Sequence, residues 1–91
     1  MSEKIMTLHP EGKNGVNIDL AKYEQMRDVI LEELEVNQPI RFSDLSKIVA
    51  ARLEGNFDGS IMWYFTTVKL DLEARGALKR KKISGKEMLV M

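Results

Sequence analysis

Apolar positions recur at three- and four-residue spacing in three stretches of the chain and alternate in a fourth. Leu20, Tyr23, Met26, Ile30 and Leu34 form one stripe and predict a helix over about 20–35. Asp19 stands before it as an N-cap, and Asn37-Gln38-Pro39 ends it, because proline disfavours helix in the residue before it. Leu45, Ile48, Val49 and Leu53 predict a second helix over about 44–54, capped by Ser43, with Asp44 at the positive end of the helix dipole. Ile61, Phe65, Val68 and Leu72 form the inner face of a third helix over about 61–75, capped by Ser60. Gly76 follows, where a left-handed C-terminal residue is expected.

After Gly76 the period becomes strand-like. Residues 77–83 and 86–90 flank Ser84-Gly85, a two-residue hairpin turn. The short piece Ile40-Arg41-Phe42 reads as extended and is expected to join the hairpin as a third strand. Residues 1–18 are rich in turn formers around His9-Pro10-Glu11-Gly12-Lys13-Asn14-Gly15 and read as an N-terminal arm. The expected division is therefore an arm, 1–18, and one folded domain, 19–91. Helix, short strand, helix, turn, helix and terminal hairpin make an α+β fold with a winged helix-turn-helix layout.

The family resemblance rests on four stretches. Ile18 to Tyr23 opens the first helix, Phe42-Ser43-Asp44-Leu45 the second, and Gly59 to Tyr64 the third. Lys69-Leu70-Asp71-Leu72-Glu73-Ala74-Arg75-Gly76 closes the third and is the most distinctive. From about His9 onward the chain resembles a family of small, stand-alone bacterial proteins of unknown function with a winged-helix-like fold. The resemblance implies the fold and supplies no activity and no site residues.

Composition narrows the chemistry. Ninety-one residues allow one domain that buries roughly two-thirds of its unfolded surface. There is no cysteine and one histidine, His9, so thiolate metal sites, disulfides and thiol catalysis are excluded. Gly12-Lys13 lacks the glycine frame of a phosphate-binding loop. Glu32, Glu33 and Glu35 read as a solvated helix face, and the serines have caps or turns to explain them or no base beside them. We expect no enzyme, no cofactor and no metal. Met1 to Leu8 lacks the apolar run and cleavage site of a targeting segment, and no apolar stretch is long enough for a membrane, so a cytoplasmic location is expected.

The net charge is zero, but it is unevenly distributed. Residues 1–68 hold seven Lys/Arg against eleven Asp/Glu, a balance of −4. Residues 69–91 hold seven against three, a balance of +4. Such a patch attracts an anionic partner even in a neutral protein. Lys79, Arg80, Lys81, Lys82 and Lys86 cluster on the hairpin, with Lys79 and Lys81 on one face and Arg80 and Lys82 on the other. They are candidate contacts to the phosphates of double-stranded DNA, with Thr66, Thr67 and Lys69 of the third helix near the groove. The competing reading is edge protection by lysines on an exposed strand.

The third helix is an odd recognition surface. Its far side carries Trp63, Thr66, Leu70, Glu73 and Ala74, with no Arg, Asn or Gln, and Glu73 is expected to repel phosphates. Trp63, Thr67, Leu70 and Ala74 form a second apolar stripe. Either the arm covers it through Leu8 or Val16, or it is the interface of a homodimer or of another protein. Stacking of a base on Trp63 is a third reading. Two function classes follow: a regulator-like, nucleic-acid-binding winged helix, and a protein-interaction module.

Overall fold

The computed structural model describes residues 3–91. Met1 and Ser2, the first residues of the expected arm, lie outside it. Seven elements follow in chain order: β1 (Lys4–Met6), β2 (Asn17–Asp19), α1 (Leu20–Asn37), α2 (Phe42–Leu53), α3 (Ile61–Arg75), β3 (Lys79–Ile83) and β4 (Lys86–Val90). The fold is α+β, three helices with two small antiparallel strand pairs, β1–β2 and the C-terminal hairpin β3–β4.

The three helices meet on the apolar faces that their periodicity predicts. Tyr23, Met26, Ile30 and Leu34 of α1, Leu45, Val49 and Leu53 of α2, and Phe65, Val68 and Leu72 of α3 are buried in one core. Ile61, counted with the α3 face, packs against its margin. Asp19 caps α1 by accepting from the amide of Lys22, and Ser60 caps α3 by accepting from that of Trp63. Gly76 stops α3 with φ 78°, in the left-handed region, and its amide donates to the carbonyl of Glu73. The chain then turns sharply, burying Leu78, and enters the hairpin. Ser84 (φ 52°) and Gly85 (φ 78°) make the two-residue turn, which needs positive φ at both positions.

Three expectations are corrected. The strand 40–42 shrinks to a single bridge between Ile40 and Leu89, with the Leu89 amide donating to Ile40 at 2.7 Å and the Ile40 amide returning at 3.2 Å. Phe42 belongs to α2 and sets its ring on Phe65, with centroids 5.3 Å apart, so the helix begins before the strand can lengthen. The N-cap is consequently Arg41, which makes no side-chain capping bond, and Ser43 lies inside the helix.

The turn-rich arm is also more structured than its composition suggests. Thr7 donates through both its amide and its hydroxyl to the carbonyl of Val16, and its hydroxyl accepts from the Val16 amide. These bonds close β1 on β2, with Ile5 opposite Ile18. A Cβ on Gly15 would stand 1.7 Å from the Thr7 carbonyl oxygen, so the close approach requires glycine there. The pair leads straight into α1 and buries Ile18 against the core.

Candidate nucleic-acid interface

The register of the hairpin decides where each basic residue points. Arg80 pairs with Leu89, and Lys82 with Glu87; Lys79 pairs with Val90, and Lys81 with Met88. Leu89 is buried, so Arg80 lies on the core-facing side of the hairpin and reaches α3. Its Nε stands 3.2 Å from Glu73 Oε1, and its Nη1 3.5 Å from Glu87. Lys79, Lys81, Lys82 and Lys86 are exposed and meet no carboxylate among the described residues.

On α3 the candidate residues separate. Thr66 is exposed, while Thr67 lines a hollow beside Thr7, Leu8, Val16 and Leu70. Lys69 is 7% exposed. Its Nζ lies 2.6 Å from Glu73 Oε1, and 5.2 Å from the centre of the Phe42 ring. It is a buried, paired cation, unavailable to a groove. The expectation that Glu73 faces outward and repels phosphates is corrected too. Its side chain is 5% exposed, enclosed between Lys69 and Arg80. The cause is Arg80, whose side chain reaches from β3 to the last turn of α3.

The second apolar stripe divides at mid-helix. The loop from Thr7 to Gly15 lies over Leu70 and Ala74, leaving open hollows between them. Trp63 is 47% exposed, with its ring edge-on to Tyr64 at 4.9 Å, and its neighbour Met62 is exposed to the same degree. The arm therefore covers the C-terminal half of the stripe and leaves the N-terminal half to solvent.

The residue that sequence reading missed is Asp71. Its carboxylate is fully buried and accepts from the Leu8 amide at 2.8 Å, from Arg75 Nε at 2.8 Å and from the Tyr23 hydroxyl. It thus ties arm, α1 and α3 together. Burial, reinforced by that hydrogen bond to Asp71, pushes the Tyr23 phenol up to about 12. The bond to Asp71 likewise raises Arg75 above the usual guanidinium value. The available signal was the Asp71–Arg75 spacing of four inside the distinctive motif, but its partners Leu8 and Tyr23 lie 63 and 48 residues away.

Other chemistry is sparse. Among the described residues no three His, Asp or Glu side chains gather as metal ligands, and no helix is long and apolar enough to cross a membrane. His9 Nδ1 accepts from the Glu11 amide in the turn.

The profile of a family of unknown function, DUF6958, matches residues 4–89. The chain belongs to that family. No curated protein and no solved structure matches it. The matched range runs from the first residue of β1 to Leu89 in β4, so the DUF6958 domain takes in the arm, the Asp71 tie and the basic hairpin alike.

Proposed function

We propose that this chain is a non-catalytic winged-helix module that holds nucleic acid by its backbone, with β3–β4 as the wing, and does not read bases through α3. The layout supports the fold name: three helices, a single bridge at Ile40, and a terminal hairpin. One observation carries the function. Of the seven cations in residues 69–91, Lys69, Arg75 and Arg80 are held by the three carboxylates of that segment, Glu73, Asp71 and Glu87. The excess of four positive charges is therefore the four free lysines of the hairpin, Lys79, Lys81, Lys82 and Lys86. Phosphate contact requires only such charge at a suitable spacing, whereas strong base reading relies on Arg, Asn or Gln, which the open face of α3 lacks. Regulatory use and double-stranded DNA as partner belong to the same proposal.

The test is titration of a fluorescent mixed-sequence duplex with the wild type and with Lys79→Ala/Lys81→Ala. The reading expects weaker binding by the variant, equally across duplex sequences. Unaltered binding by the variant would remove the wing from the account.

A second reading has its own observation, the half-exposed Met62 and Trp63 on α3. It makes the domain an interaction module, as a homodimer or with another protein. Sedimentation of Trp63→Ala decides it: the second reading expects a dimer to become a monomer.

A further inference from the structure

Arg80 is the one cation of the hairpin that is already engaged. Glu73, in the last turn of α3, approaches it with a carboxylate that is nine-tenths buried. That carboxylate is under-satisfied. Lys69 Nζ and Arg80 Nε both approach Oε1, at 2.6 and 3.2 Å, as ion pairs without hydrogen-bond geometry, and Oε2 meets no donor either. An anion poor in hydrogen bonds and shielded from water attracts a nearby guanidinium strongly. Lys69 cannot leave it, being packed beneath Phe42, but the Arg80 side chain is 47% exposed and sits at the water boundary.

We propose that Glu73 is a built-in competitor for the wing: its carboxylate occupies Arg80 in the place of an external phosphate and so caps the affinity of the hairpin for a polyanion. The inference rests on the backbone-holding reading above and names a determinant of its strength. Glu87, the other partner of Arg80, is 60% exposed and 3.5 Å away, a surface pair too weak to hold the guanidinium alone. Neutralising Glu73 therefore turns Arg80 outward as a fifth phosphate contact beside the four lysines.

The experiment measures duplex binding against salt for the wild type, Glu73→Gln, Arg80→Ala and the double variant, with thermal melting to confirm folding. Each phosphate contact adds about 0.9 to the slope of log K against log salt. Glu73→Gln should steepen that slope by about 0.9 and tighten binding up to about tenfold at roughly 50 mM salt. Arg80→Ala alone should leave the slope unchanged, and added to Glu73→Gln it should abolish the gain. An unchanged or shallower slope in Glu73→Gln overturns the inference. So does a slope flattened by about 0.9 in Arg80→Ala alone, a result that decides the matter even where Glu73→Gln does not fold. If the wild type shows no slope that depends on the lysines, the backbone-holding reading fails and takes this inference with it. If the wild-type slope is lysine-dependent and Glu73→Gln does not change it, only the competitor is lost.

Discussion

Asp71 is the side chain on which most of the architecture converges. It is fully buried and holds a backbone amide of the arm, a phenol of α1 and a guanidinium one turn along α3. Asp71→Ala leaves Tyr23 and the Leu8 amide without a partner and should cost about 3–5 kcal/mol of folding stability, read by chemical denaturation. Hydrogen exchange at Leu8 should rise further than exchange in α2, which the tie does not touch. Tyr23 adds a pH dependence with a definite sign. Its folded value, about 12, lies above the unfolded value of 10, so the folded state favours the protonated phenol. That contribution is complete below pH 10 and disappears as the pH rises through 12. It amounts to about 2–3 kcal/mol, and Tyr23→Phe should remove this part of the alkaline loss. Trp63 lies at the other extreme. With nearly half of its surface in water, Trp63→Ala should cost about 1 kcal/mol, well short of the 3–5 that a buried tryptophan costs.

Among the elements, the three helices were legible because each has an apolar stripe, with a cap before α1 and α3, and both signals are local. Asp19, Ser60 and Gly76 perform the capping their sequence positions suggest. Phe42 was misplaced because its helical state depends on Phe65, 23 positions along, and no periodicity reports such a contact. The arm hairpin was hidden for a similar reason. Its strands are three residues long, and its closure depends on one threonine bonded to Val16 and one glycine packed close against that threonine. Gly15→Ala tests that closure. The added methyl clashes with backbone and should cost about 1–3 kcal/mol, with loss of exchange protection at the Thr7 and Val16 amides while the helix core stays folded.

Across the molecule, the charge division visible in the chain survives folding in sharper form. The two-residue turn and the strand period were enough to set Lys79 and Lys81 on one face and Arg80 and Lys82 on the other, but not to say which face meets the core. The pairing of Arg80 was not legible, because it meets Glu73 only through a tertiary contact between β3 and α3. Lys69, expected near the groove, is buried and paired, Arg80, expected on phosphates, is engaged by Glu73, and Glu73 is enclosed between them. What remains is a positive hairpin on an otherwise acidic body, and a helix that exposes Met62, Trp63 and Thr66. Affinity without sequence preference is the property expected of that arrangement. The most direct test is the salt dependence of binding to a mixed-sequence duplex between roughly 50 and 200 mM. With four free lysines on phosphates, affinity should fall by about two decades across that range. Absence of binding at the lower salt, or affinity that does not change with salt, would contradict the account.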